Sequence, residues 1–236
     1  MQYEIKGAPM PVVICTLDKG EQMKTEGGGM SWMSDGLTMQ TSTNGGFGKA
    51  IGRMFSGDKI FQNIYTANAD GQFIAFASSF VGDILALDVA PGQEYICQKS
   101  AFLASTMGVN MSVYFKKSVK TGLFGGEGFI MQKFDGQGKL FIEIDGTAVK
   151  YNLAQGEKLV METGRLVMMS STCTLDTQTI KGAKNILLGG EGLFNTVVTG
   201  PGEVIVQSMP AAKMADALSK YIAPKTSGGG IQIGGN

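Results

Sequence analysis

The phrase GLFGGEGF at Gly122–Phe129 returns as LLGGEGLF at Leu187–Phe194, and a rougher copy, MFSGDKIF, stands at Met54–Phe61. Each is the second half of a longer pattern. The first half reads LDKGEQMKTEGGGMSWMS from Leu17, LDVAPGQEYICQKSAFLAS from Leu87 and LAQGEKLVMETGRLVMMSS from Leu153. The turn glycines Gly20, Gly92 and Gly156 recur at intervals of 72 and 64 residues, and Gly57, Gly126 and Gly190 at intervals of 69 and 64. Two landmarks in phase at nearly one period indicate a threefold internal duplication. A unit of roughly 70 residues covers its own apolar faces poorly, so three copies must pack on one another.

Each unit closes with strand, turn, strand: FQNIYTANADGQFIAFAS, FIMQKFDGQGKLFIEIDG and FNTVVTGPGEVIVQSM. The ADGQ, DGQG and GPGE signals read as hairpin turns, with glycine supplying positive φ. The flanks alternate with period two, Leu140, Ile142 and Ile144 opposing Phe141, Glu143 and Asp145, as strands require. The first unit is apolar on both faces (Phe73, Ala75 and Ala77 against Ile74 and Phe76), which predicts burial on both sides. Helix is confined to Pro210–Ile222, with an apolar stripe of Ala211, Met214, Ala215, Leu218, Tyr221 and Ile222. Residues 45–57 read as an ordered loop, because their glycines weaken a helix. The reading is therefore all-β: three β repeats at 1–82, 83–147 and 148–209 around a pseudo-threefold axis, a C-terminal helix at 210–222 and a flexible tail at 223–236.

Several function classes fall away. The 20 basic and 20 acidic residues cancel, whereas a nucleic-acid binder carries a basic face; Lys116, Lys117 and Lys120 read as a solvated strand face. The chain contains no histidine, which removes Ser-His-Asp and Cys-His catalysis and every histidine metal site. Cys15, Cys97 and Cys173 are widely spaced and odd in number, the pattern of reduced, buried thiols. The N-terminus shows no secretory signal pattern, and no apolar run reaches the ~18 residues of a membrane span, so a cytoplasmic location is expected.

The GGEG phrases lack a following Lys-Ser/Thr and lead into strands, so they read as turns and not as phosphate loops. Asp58, Glu127 and Glu191 occupy like positions in the three units. Facing the axis, three carboxylates would need a cation or raised pKa values; facing outward, they are turn residues. Glu21, Glu94 and Glu157 pose the same choice, and the outward reading is preferred for both sets. The three acids Asp58, Glu127 and Glu191 are thus the only candidate metal ligands; no catalytic or cofactor residue is assigned and no cofactor is expected. The single tryptophan, Trp32, is expected to be buried, and the 15 methionines to fill cores.

The N-terminal YEIKGAPMPVVICTLDKGE, the GGGMSWMSDGL stretch, FVGDILALDVAPGQEYICQKSAFLAS, the paired GGEG phrases and TGPGEVIVQSMP span residues 3–210 in order. In these segments the chain resembles the bacterial branch of the altered-inheritance-of-mitochondria family, long known as a domain of unknown function. The resemblance implies jelly-roll-like β-sandwich units, three per chain, in a fold similar to the tryptophan RNA-binding attenuator protein. It implies no catalytic motif and transfers no functional residue; mitochondrial members are linked to inner-membrane organisation. The expected function is a non-catalytic scaffold or interaction protein with a protein partner or self-association. The alternatives are a small-ligand or metal-binding protein with its site between repeats, and a peripheral membrane protein acting through 210–222.

Overall fold

The computed structural model describes residues 1–43, 61–117, 128–179, 194–219 and 221. The first third of the chain forms β1 (Gln2–Lys6), β2 (Val12–Leu17), β3 (Gln22–Glu26), β4 (Trp32–Met33), β5 (Thr38–Thr43), β6 (Phe61–Thr66) and β7 (Gln72–Ala77). The second forms β8 (Gly82–Val89), β9 (Tyr95–Gln98), β10 (Phe102–Thr106), β11 (Val109–Lys117), β12 (Phe129–Gly136) and β13 (Gly138–Asp145). The third forms β14 (Ala148–Leu153), β15 (Lys158–Glu162), β16 (Leu166–Ser170), β17 (Thr174–Thr179), β18 (Phe194–Thr199) and β19 (Gly202–Gln207), followed by the helix α1 (Ala211–Ser219). Among the described residues the fold is all-β apart from that helix and one short 3-10 turn at Lys99–Ala101.

The strands make four antiparallel sheets. Sheet A runs β1-β2-β7-β4, sheet B β5-β6-β3-β10-β13-β8, sheet C β11-β12-β9-β16-β19-β14 and sheet D β15-β18-β17. Each third of the chain pairs its strands in one order. An inner half-sheet is β2-β7-β4, β8-β13-β10 or β14-β19-β16; an outer half-sheet is β3-β6-β5, β9-β12-β11 or β15-β18-β17. Adjacent thirds are stitched by one strand pair. In sheet B, β3 meets β10 with Lys24 opposite Ser105 and Met23 opposite Thr106. In sheet C, β9 meets β16 with Cys97 opposite Met168, Ile96 opposite Met169 and Tyr95 opposite Ser170.

Three cores lie between successive sheets. Val13, Ile74 and Phe76 of sheet A pack on Met23, Tyr65 and Phe141 of sheet B. The opposite face of sheet B gives Leu140, Ile142 and Ile144 to a second core shared with Phe134, Met168 and Ile205 of sheet C. The far face of sheet C brings Ile96, Phe129 and Met169 against Phe194 and Val198 of sheet D. Neighbouring residues of β13 thus serve different cores, as period-two alternation demands in a sheet covered on both faces. At about 25 cal/mol per Å² of apolar surface removed from water, these shared cores are the main force holding the thirds together.

The turn opening each outer half-sheet repeats. Gly20, Gly92 and Gly156 sit at φ of +88°, +83° and +77°. The next residue donates its N–H back to a carbonyl at 2.9, 2.9 and 3.0 Å, to Asp18, Ala90 and Ala154 respectively. An L side chain is strained at such φ, which explains the glycine at this landmark.

One expectation needs correction. The ADGQ, DGQG and GPGE turns do carry positive-φ glycines, among them Gly71, Gly136 and Gly202, but they are not hairpins. β6 and β7, β12 and β13, and β18 and β19 belong to different sheets, so these turns are arches across a sandwich. Among the described residues no strand pairing or core cluster joins the first third of the chain to the last; the cores follow one another in sequence.

Candidate functional site

Asp58, Glu127 and Glu191 lie outside the described residues, as does the 45–57 loop. The second set of acids is placed. Glu21 accepts the N–H of Asp18 through Oε2 at 2.9 Å and the N-terminal amine through Oε1 at 2.5 Å. Glu157 accepts the N–H of Ala154 through Oε2 at 2.8 Å. Both are turn carboxylates. The third turn position is held by Gln93 and not by Glu94, which instead pairs with Lys133 at 2.9 Å. Among the described residues no three metal-ligating side chains converge.

The buried polar groups hold one third of the chain to the next. Glu143, 9% exposed on β13, accepts the N–H of Ser79 at 2.6 Å and the hydroxyls of Ser79 and Ser78 at 2.9 and 3.1 Å. Ser78 and Ser79 form the linker out of the first third. Burial raises the Glu143 pKa above its ordinary 4.5, and the three donors oppose that rise. Gln207 takes the corresponding place on β19. Its Oε1 accepts the N–H of Asp145 at 2.9 Å and its Nε2 donates to the Gly164 carbonyl at 2.8 Å. Asp145, also raised by burial, accepts the Ala211 N–H at 2.7 Å and fixes the start of α1.

Other groups cross between sheets. Lys24, buried at the joint of sheet B, donates to the Val109 carbonyl, and desolvation lowers its pKa. Lys117, expected on a solvated face, is half-buried; it donates to Thr177 Oγ1 and sits 4.3 Å over the Phe194 ring. Lys120 and the Lys116 side chain lie outside the described residues. All three thiols are free and buried. Gln132, fully buried, carries an amide with neither atom partnered, and Gln98 on the neighbouring strand has an unpartnered Oε1.

Trp32, expected to be buried, is the site residue that the structure moves to the surface, where it is 47% exposed. It lies on β4, the edge of sheet A, opposite Ala75 of β7. Ala104 and Met168 hold the same register position, opposite Phe141 and Ile205, and both are fully buried. Both lie in cores between stacked sheets, Ala104 in the first and Met168 in the second, beside the strand that the preceding unit lays against the outer edge; no described strand pairs with the outer edge of β4. Val160, 51% exposed, lies on the free edge of sheet D. Its counterparts Lys24 and Ile96, four residues past their turn glycines, are buried. The helix leaves its apolar stripe open. None of its residues is buried, and Leu218 and Tyr221 of the apolar stripe are 51% and 88% exposed, so the stripe does not cap the core. No helix among the described residues is long and apolar enough to cross a membrane.

These alternating, covered sheets are a family's fold. The family model described as mitochondrial biogenesis AIM24 matches residues 3–209, and the chain belongs to that family. The chain is also similar to protein SPYM3_0169 from Streptococcus pyogenes, a structural genomics crystal structure, at 25% identity and a TM-score of 0.76. That match covers 94% of this chain and 99% of the other. No curated protein matches.

Proposed function

We propose that this chain is a non-catalytic scaffold that works by protein–protein contact through its end sheets. One observation carries the reading: Trp32 is half exposed at a register position buried wherever the chain supplies the neighbouring strand. Exposed sheet edges offer unpaired N–H and C=O groups to an added strand, and a tryptophan beside such an edge is a strong interface anchor. The absence of histidine from the sequence and the burial of all three thiols support the non-catalytic half of the reading. The test is a thermal melt of purified protein against metals, nucleotides, amino acids and lipid head groups, with assays for turnover of each. A ligand that binds only the folded chain must raise the melting temperature. The scaffold reading expects no shift and no turnover; turnover abolished by one point substitution contradicts it.

A small-ligand site is the second reading, favoured by the unpartnered amide of Gln132 and the unpartnered Oε1 of Gln98. A buried amide without partners costs about 1–3 kcal/mol, and a polar ligand would recover that cost. A melting shift lost in Gln132→Leu supports it; a Gln132→Leu protein that is only more stable removes it.

A further inference from the structure

We propose that the two end sheets complete each other between copies, β4 of one chain pairing antiparallel with β15 of the next. The proposal rests on the scaffold reading and names the partner as a second copy of this chain. Sheets B and C are each an outer half-sheet joined to the inner half-sheet of the following third: β5-β6-β3 to β10-β13-β8, and β11-β12-β9 to β16-β19-β14. Sheet D is an outer half alone, β17-β18-β15. Sheet A is an inner half alone, β4-β7-β2, extended by β1. The two ends are therefore the two halves of the sheet the chain builds twice. Joined, they give β17-β18-β15-β4-β7-β2-β1.

The register follows from the joints already made. Ile96 lies opposite Met169, Cys97 opposite Met168 and Tyr95 opposite Ser170. Counting from the turn glycines, Val160 stands where Ile96 stands; by pairing with β7, Met33 stands where Met169 does, since Ile74 and Val204 are their matching partners. The joint thus sets Val160 opposite Met33, Met161 opposite Trp32 and Leu159 opposite Ser34. The side chains fit the same logic. Ala104 reaches back into the first core and Met168 into the second, each the core of the preceding third. Trp32 would enter the third core of the preceding copy, beside Met161. Ile96 reaches forward into the third core, and Val160 would reach forward into the first core of the next copy. Because the two surfaces differ, the contact is head-to-tail, and every copy keeps one end of each kind. Zero formal net charge sets no long-range repulsion against it.

The test is light scattering on the size-separated full chain across a wide concentration range. The expected result is a mass rising with concentration in multiples of 24.9 kDa. Trp32→Glu and Val160→Lys each reduce the protein to a monomer with an unchanged melt. Mixed in equal amounts they form a one-to-one dimer and stop, since Trp32→Glu keeps a working β15 and Val160→Lys a working β4. Val160→Pro, which removes an edge donor, replaces Val160→Lys if that variant misfolds. A wild-type monomer at every concentration overturns the joint, as does assembly that neither substitution weakens or a mixture that stays monomeric. A ligand-driven melting shift with turnover would overturn the scaffold reading instead, whatever the mass.

Discussion

Oε2 of Glu143 accepts the N–H of Ser79 at 2.6 Å, and Oε1 of Gln207 accepts that of Asp145 at 2.9 Å, the same bond made one unit later. One uses a carboxylate and the other an amide. The charge is therefore dispensable and the acceptor is not. Glu143→Ala should cost about 1–3 kcal/mol, because it takes the acceptor from the Ser79 N–H and hydroxyl, the Ser78 hydroxyl keeping the Phe80 carbonyl, while Glu143→Gln should stay within about 1 kcal/mol of wild type. Denaturant unfolding of the three proteins measures both.

The same residue gives a signed pH effect. Burial lifts its pKa above 4.5 in the folded chain, so the folded state binds the proton more tightly than the unfolded state. Its contribution to stability is fully present below pH 4.5 and is lost as pH rises through the folded pKa. Melts of wild type and Glu143→Gln compared from acid to neutral pH should show the wild type losing ground to the variant over that window. A constant difference between them would contradict the assignment.

Burial pushes the Cys15 thiol up to about 12 and raises that of Cys97 as well. Thiolate is the reactive form, so both should ignore a thiol reagent at neutral pH until the chain unfolds. Labelling in denaturant, read by mass, should then report all three cysteines.

Phe141 stands on the second third of the chain yet fills the first core, edge-on to Tyr3 at 5.1 Å. Phe141→Ala should cost about 3–5 kcal/mol. At Gly82 an added Cβ would stand 1.7 Å from the Ile144 carbonyl oxygen, and backbone cannot yield as a side chain can. Gly82→Ala should therefore exceed about 3 kcal/mol, measurable by the same unfolding curves.

The strands and the turn glycines were legible because both are local: alternation reports a face and positive φ reports a glycine. Strand partners were not. DGQG reads alike whether the next strand pairs with the last or crosses to another sheet, and only packing decides. Trp32 was misplaced for a related reason. Its apolar flanks, Met30 and Met33, mark a strand with a buried side, but its own burial depends on what covers its face of the sheet, which the sequence does not locate. Gln93 was passed over for Glu94 because the position after the turn glycine, held by Glu21 and Glu157 in the other units, is an amide here and the acid stands one residue further on. Glu143 and Gln207 carried no signal beyond a polar residue in an apolar run.

The most direct measurement is a disulfide trap at the register-defined pair. Met33→Cys and Val160→Cys proteins, each alone and then mixed under mild oxidation, would be separated on a non-reducing gel. The account predicts a dimer only in the mixture, and a ladder of multimers when both cysteines are placed in one chain. A dimer from either single variant alone, or none from the mixture, would contradict it.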